Sequence, residues 1–355
     1  MANLIDLKKF WKNKKVFVTG HTGFKGTWLC LLLNLLGAKI YGYSLPPKKK
    51  SLFKKANCKK FLKKNIYANI INYKYLHKQI SNIKPEVLFH LAAQPLVGRS
   101  FEDPLETFNS NIIGTANILN SIKFQPFIKS AVIITTDKVY KITSGKKFYN
   151  EDDILEGKDP YSSSKVCAEL ITKSYNESFF KKNLLKNRVS TARSGNVIGG
   201  GDYSKDRLIP DIMESINKKK KLIIRNPNYV RPWQHVVEPL VGYIKLAESQ
   251  FKGKKLHIDN AWNFGPNKNS FIKVIELVNY MKKRDKFEIK ISNKKKFFET
   301  EILKLSNNKA KKYLKWRPIW NLSKSLNNVL EWNKLYKKTK NAKKICENQI
   351  IDYLK

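Results

Sequence analysis

Val16-Phe17-Val18-Thr19-Gly20-His21-Thr22-Gly23-Phe24-Lys25-Gly26 starts as a short apolar run, passes through three glycines and leads into an apolar, amphipathic stretch from Trp28 to Leu36. The order reads as strand, loop, helix. Glycines let the chain turn tightly and bring its backbone close to a pyrophosphate, and the free N–H groups and dipole at a helix start favour that anion. The glycines are spaced three and three, unlike the G-x-G-x-x-G of many dehydrogenases. Alone, such a loop is also compatible with a turn that holds no ligand. Its place in the first βα unit, where dinucleotide folds bind, favours the cofactor reading.

Outward from the loop, strand-like and helix-like patterns alternate. Strands are expected at 38–43, 66–71, 87–93 and 131–135, with a helix at 111–122 and an exposed loop at Pro46-Pro47-Lys48-Lys49-Lys50. This alternation predicts an α/β fold, a doubly wound parallel sheet of Rossmann type. The second half carries glycine- and proline-rich segments between short elements, as in a smaller C-terminal substrate-binding lobe. Helices are expected at 270–282 and 322–336. The expected division is a dinucleotide domain at 1–190, a partly interleaved lobe at 191–337 and a charged, partly mobile tail at 338–355.

With 355 residues, 42% of them apolar, the chain has room for a sizeable core. A formal net charge of +42 could signal nucleic acid or a membrane surface. The basic residues are mostly lysines spread along the chain, a pattern that fits solvated surface positions, so no specific nucleic-acid partner is expected. Anionic substrates should be favoured. The four cysteines are scattered without metal-ligand spacing, so neither a disulfide framework nor a metal is expected. No apolar signal core and no stretch long enough to span a bilayer is seen, which makes the cytoplasm the expected compartment and a membrane partner unexpected.

Two further patterns carry chemistry. Tyr161 and Lys165 are four apart behind Asp159-Pro160, a helix-start signal, so they share one helical face. An ammonium near a phenol stabilises the phenolate, which can then act as a base. Thr135-Thr136-Asp137-Lys138 ends the fifth expected strand, the edge beyond which ligands bind in open α/β sheets. A hydroxyl there can bind a substrate hydroxyl, and an acid beside an amine can supply a proton donor and a proton acceptor. A solvated turn with an Asp–Lys pair is the plain alternative.

The Gly20–Gly26 loop, His90-Leu91-Ala92-Ala93, Asn111-Ile112-Ile113-Gly114-Thr115 and Tyr161-x-x-x-Lys165 together resemble the extended short-chain dehydrogenase/reductase family of NAD-dependent epimerases and dehydratases. More narrowly, Leu91-Ala92-Ala93-Gln94-Pro95-Leu96-Val97, Thr135-Thr136-Asp137-Lys138, Gly195-Asn196-Val197-Ile198-Gly199-Gly200-Gly201-Asp202 and Arg231-Pro232-Trp233-Gln234-His235-Val236 resemble the 4,6-dehydratase branch that acts on CDP-glucose. The resemblance runs from about residue 14 to 332. It implies a hydro-lyase with bound NAD and an internal redox cycle: oxidation at C4 of the sugar, loss of water across C5 and C6, and hydride return to C6. It also implies a homodimer formed through helices at 111–123 and 161–180, and a role in deoxysugar supply for surface polysaccharide such as O-antigen.

By resemblance, Tyr161 takes the 4-hydroxyl proton, Lys165 lowers the Tyr161 pKa and holds the nicotinamide ribose, and Thr136 binds the 4-oxygen. Asp137 protonates the leaving 6-hydroxyl and Lys138 takes the C5 proton. A lysine must be neutral to act so, which calls for burial or nearby cations. The implied cofactor site comprises Gly20, Thr22, Gly23, Phe24, Lys25, Gly26, Ser44, Asn69, Ile70, Leu91, Ala92, Ala93 and Thr135, with Tyr161 and Lys165. Ser44 stands near where relatives often carry an acid for the adenosine ribose, and Asn69 can meet the adenine amino group through its amide oxygen. Gln94, Asn196, Arg207 and Arg231 are the expected substrate contacts, Arg231 first for the diphosphate. Arg99 remains beside Gly98, where the nearest relatives often have a basic residue. Alternatives are a dehydratase for GDP-mannose or a dTDP- or UDP-sugar, a 4-epimerase, or a non-catalytic nucleotide-sensing or polyanion-binding protein. An epimerase would not need Asp137-Lys138.

Overall fold

The computed structural model describes residues 4–143, 148–180, 188–253, 261–292 and 304–355. Strands β1 (Lys15–Thr19), β2 (Lys39–Ser44), β3 (Lys64–Tyr67), β4 (Val87–His90), β5 (Ser130–Ile134), β6 (Arg188–Arg193) and β7 (Trp262–Asn263) form one sheet in the order β7-β6-β5-β4-β1-β2-β3. Every pairing is parallel. Helices cover the sheet, so β4 and β5 are buried along their whole length and read as apolar runs rather than alternating ones. The strand order reverses between β1 and β4, where Thr19 stands opposite His90. That switch point opens a crevice at the carboxyl ends of the strands.

Strand ends differ from the sequence expectation by a few residues, and side chains account for two of the shifts. Asn69 accepts from the Ile71 N–H, and Asn72 caps the helix Tyr73–Ile83. These local bonds draw residues 68–72 out of β3 into a loop. The Thr19 hydroxyl accepts from the N–H groups of Leu91 and Ala92, which ends β4 at His90 and turns 91–93 into the crevice. Residues Asn109–Ile113 make a π-helical turn that leads into helix α2, below, in place of one uniform helix.

Six helices matter for the site: α1 (Phe24–Leu35), α2 (Gly114–Lys123), α3 (Pro160–Tyr175), α4 (Val237–Phe251), α5 (Leu322–Thr339) and α6 (Ala342–Leu354). Helix α1 is buried on nearly all sides, from Gly26 to Leu33, rather than on one stripe. The cause lies at the other end of the chain. The last residues, which composition marks as a mobile charged tail, form α6 and dock on α1, burying Ala342, Ile345, Cys346, Ile350, Tyr353 and Leu354. Each large apolar side chain so buried contributes about 1.5–3 kcal/mol. Gln349 donates to the Asn328 carbonyl, the Trp332 indole to Cys346, and the Tyr353 hydroxyl to Glu238.

The second lobe packs around Ile209, Ile212, Trp233, Leu277, Met281 and Leu326. Its short strands pair Leu222–Ile224 with Ile289–Ile291 and Val230–Pro232 with Phe271–Lys273. The latter pairing corrects the expected helix at 270–282. Phe271 and Ile272 join a sheet, and the helix begins at Val274. A tertiary partner overrides local periodicity there. Strand β7 returns from this half of the chain to the edge of the first sheet.

Candidate active site

Gly20 ends β1 with φ +70°, a left-handed conformation natural to glycine. A methyl group on it would meet the Ala92 nitrogen at 2.6 Å, and one on Gly26 would meet the Gly20 carbonyl oxygen at 2.2 Å. The glycine loop, the turn after β4 and α1 therefore touch backbone to backbone. Gly23 is the N-cap of α1 and brings no side chain to the helix's free N–H groups. Together these make a cradle for a diphosphate at a helix start, and the residues fit a dinucleotide. Thr22 donates to the Leu45 carbonyl and bonds the Ser44 hydroxyl at 2.8 Å, tying the loop to the end of β2.

Helix α3 starts at a capping box in which Asp159 accepts from the Ser162 N–H, with Pro160 in the first turn. That start sets Tyr161 and Lys165 one turn apart, both buried and facing the sheet. Asn111 fixes the helix to the β4 loop by donating to Ser164 Oγ and the Gln94 carbonyl. Burial pushes the Tyr161 phenol up to about 12, opposed by hydrogen bonding from Thr136 and the charge of Arg207. The sequence assigns that opposing role to Lys165. In the structure the Lys165 ammonium instead donates to the Ile134 carbonyl at 3.2 Å, at the end of β5. Burial brings its own pKa down to about 8 despite the Glu169 carboxylate.

After β5 the chain makes a tight turn at Asp137–Val139. Thr136 Oγ1 donates to Asp137 Oδ1 at 3.1 Å, whereas Asp137 Oδ2 is buried with no hydrogen-bond partner. Burial raises the Asp137 pKa, opposed by Lys138, Thr136 and Arg231. A raised pKa favours the protonated form that a proton donor requires. Lys138 is half-buried beside it and lines the same cleft.

This cleft, of about 970 Å³, is lined by Gly20, Thr22, Gly23, Phe24, Lys25, Gly26, Ser44, Asn69, Ile70, Leu91, Ala92, Ala93, Gln94, Thr135, Thr136, Asp137, Lys138, Tyr161, Lys165, Asn196, Arg207 and Arg231. All the site residues read from the sequence thus meet in one place. Their partners qualify several of them. Gln94 uses its whole amide within the protein, accepting from the Leu96 N–H and donating to the Leu96 carbonyl and Thr107, so it shapes the loop. The Asn69 amide oxygen already accepts from Ile71. Arg207 pairs with Asp202 at 3.4 Å, and Arg231 is buried beside Tyr229. Arg99 is held by Glu106, Asp103 and Glu102.

Two groups of residues escaped the sequence reading. Glu169, one turn beyond Lys165, accepts from Thr135, Thr191 and Arg193, whose guanidinium also donates to the Tyr140 hydroxyl. This buried network supports the end of β5 from below. Its only sequence signal is a fourth-residue continuation of the Tyr161–Lys165 face. The other is Ser194 at the end of β6. Its hydroxyl accepts from Lys25 and Tyr243, and its carbonyl from the Asp137 N–H. Among the described residues no cluster of His, Cys, Asp or Glu could hold a metal ion, and no helix is long and apolar enough to cross a membrane.

An open parallel sheet with a glycine cradle at its switch point, and with ionisable side chains converging on that crevice, defines a dinucleotide-binding α/β protein. The family model described as GDP-mannose 4,6 dehydratase matches residues 17–329, and the chain belongs to that family. The chain is 41% identical to the CDP-glucose 4,6-dehydratase of Salmonella typhimurium over 358 aligned residues, covering 99% of both proteins. In fold it resembles the dTDP-glucose 4,6-dehydratase of Bacillus anthracis solved with NAD, with a TM-score of 0.74, 23% identity, and 92% and 97% of the two chains covered. It likewise resembles the UDP-glucuronic acid 4-epimerase of Bacillus cereus solved with UDP-glucuronic acid and NAD, with a TM-score of 0.76, 22% identity, and 90% and 99% covered.

Proposed function

We propose that the protein is a hydro-lyase that converts CDP-D-glucose to CDP-4-dehydro-6-deoxy-D-glucose with NAD as a resident cofactor. The observation that carries this reading is the end-to-end likeness to the Salmonella CDP-glucose 4,6-dehydratase, which spans both lobes. The Asp137 carboxyl, buried with one oxygen unpartnered beside Thr136 and Lys138, supports elimination over epimerisation.

NAD in the glycine cradle would supply a hydride acceptor for C4 and a hydride donor for C6. The protein's own groups move the protons. Tyr161 takes the proton of the 4-hydroxyl while Thr136 holds the 4-oxygen. The resulting carbonyl acidifies the neighbouring C5–H, and Lys138 removes that proton. Asp137 gives its proton to the 6-hydroxyl, which leaves as water. Arg231, with Asn196 and Arg207, meets the substrate diphosphate from the second lobe. Lys165 would hold the nicotinamide ribose.

The same reading makes 1–190 the cofactor-binding part and 191–337 the substrate-binding part. It makes the protein a cytoplasmic homodimer joined through α2 and α3, supplying a deoxysugar for surface polysaccharide. A panel of nucleotide sugars incubated with the protein and NAD+ tests it. Formation of a 4-keto-6-deoxy product from CDP-glucose in preference to GDP-mannose, dTDP-glucose and UDP-glucose is the expected result. No product from any of them, or a 4-epimer, would refute it.

A further inference from the structure

We infer that Lys25 is a positioning residue for the elimination step, acting on Asp137 through Ser194 and through its charge. The inference rests on the function proposed above. Lys25 leaves the first turn of α1, but its side chain does not stay with the loop. It crosses to β6 and α4, where its ammonium donates to Ser194 Oγ at 3.0 Å and to the Tyr243 hydroxyl at 3.4 Å. The Tyr243 hydroxyl itself donates to Ser194 at 2.9 Å. Both partners of the ammonium are hydroxyls, not carboxylates. The carbonyl of the same Ser194 accepts the Asp137 backbone N–H at 3.3 Å, so one residue joins Lys25 to the acid.

The charges around this ammonium come from every side. Asp137 faces it from the turn after β5, Lys165 from α3 and Arg207 from the second lobe; burial above all, then Arg207 and Lys165, brings Lys25 down to about 7, and Asp137 opposes them. Asp137 in turn faces Lys138 in its own turn and Arg231 in the second lobe. The coupling between Lys25 and Asp137 is reciprocal, so a charged Lys25 favours the Asp137 carboxylate.

The chemistry is helped by this further counter-charge beside those of Lys138 and Arg231. In the elimination the C5–H bond breaks toward the Lys138 amine and its electron pair forms the C5–C6 double bond. The C6–O bond breaks as Asp137 gives its proton to that oxygen, and water departs. Asp137 is left as a buried carboxylate beside the Lys138 ammonium and Arg231, where each added counter-charge lowers the cost of ionisation. Lys25, poised between its neutral and charged forms, holds its proton more firmly as that carboxylate appears.

The test compares Lys25→Met, Lys25→Arg and Ser194→Ala with the unaltered full chain, in two measurements. An aspartate-selective carbon NMR titration, assigned with Asp137→Asn, follows the acid without substrate. Loss of the Lys25 charge should raise the Asp137 midpoint by about one pH unit, a tenfold change in its proton affinity, and Lys25→Arg should reverse it. With CDP-glucose and NAD+, Lys25→Met should slow formation of the 6-deoxy product about tenfold beyond any change in C4 oxidation and move the descending limb of its pH profile upward. Ser194→Ala, which keeps the lysine and the carbonyl that meets Asp137 but removes the hydroxyl that positions the ammonium, should shift both readouts the same way and stands in if Lys25→Met does not fold. An unmoved Asp137 midpoint, or equal loss in both half-reactions with an unchanged pH profile, would overturn the inference. If the unaltered protein makes no product from CDP-glucose, the proposed function fails, while the titration still decides whether Lys25 and Asp137 are coupled.

Discussion

Gly26→Ala is the sharpest test of the cofactor cradle. The added methyl would lie 2.2 Å from the Gly20 oxygen, 2.9 Å from the Gly20 carbonyl carbon and 2.9 Å from His21 Cα. Non-bonded carbon contacts settle at about 3.5–4.0 Å, so α1 and the loop must separate by about 1 Å or more. All three obstacles are backbone atoms, so no rotamer change relieves them. Overpacking of this kind costs about 1–3 kcal/mol. The same displacement pulls the first-turn N–H groups out of hydrogen-bonding range of a diphosphate. If that cost falls on binding, NAD+ affinity drops by roughly 5- to 150-fold, read by calorimetric titration of the full chain. Gly23→Ala is the control. Its methyl would meet the Gly20 oxygen at 3.3 Å, and its φ of −75° suits any residue. It should therefore lose no more than about threefold, well under 1 kcal/mol. Unchanged affinity in Gly26→Ala, or an equal loss in Gly23→Ala, would refute the close-packed cradle.

Lys138→Ala should block elimination while leaving partial C4 oxidation, a loss of about 10²–10⁴ in product formation; full turnover in a product assay would remove Lys138 from the mechanism. Glu169→Gln leaves the Arg193 guanidinium buried without its counter-charge and should cost about 3–5 kcal/mol in urea unfolding. Burial works against the Glu169 carboxylate, but Arg193, Thr135 and Thr191 hold its pKa below the usual range. Its stabilisation is thus present above the ordinary carboxylate pKa and fades as pH falls through the lowered one, and the variant should lack that acid-side loss. Tyr353→Phe removes the hydroxyl that anchors α6 to Glu238 and should cost about 1–3 kcal/mol, seen as a lower melting temperature. Burial pushes Glu238 up to about 7 against a usual 4.5, so the folded state keeps that proton longer and stability should decline as pH rises through this interval. A flat pH response there would contradict it.

Five of the sheet's seven strands were legible because those at its centre, such as β4 and β5, are buried on both faces and the helices between are short-range periodic, so each announces itself within about ten residues; β6 and β7, in the second half of the chain, were not read. Tyr161 and Lys165 were legible for the same reason: four residues on a helix fix a shared face whatever surrounds it. Direction was not. Lys25 looks like a loop residue next to a phosphate, yet its ammonium ends on Ser194, 169 positions away. Gln94 looks free to meet a substrate, yet Leu96 and Thr107 consume its amide. Lys165 points at a strand carbonyl rather than serving the Tyr161 hydroxyl.

The clearest division lies at the two ends of the chain. The sequence by itself determined the loop from Gly20 to Gly26, the parallel sheet it opens and the crevice toward which Thr136, Asp137, Tyr161 and Lys165 converge, because glycine freedom, strand burial and helical spacing are local properties. Only the tertiary structure decided that the final helix closes over α1. A lysine-rich segment reads as solvated until its apolar residues, Ile345, Ile350, Tyr353 and Leu354, have a surface to cover, and that surface belongs to the helix that follows the glycine loop.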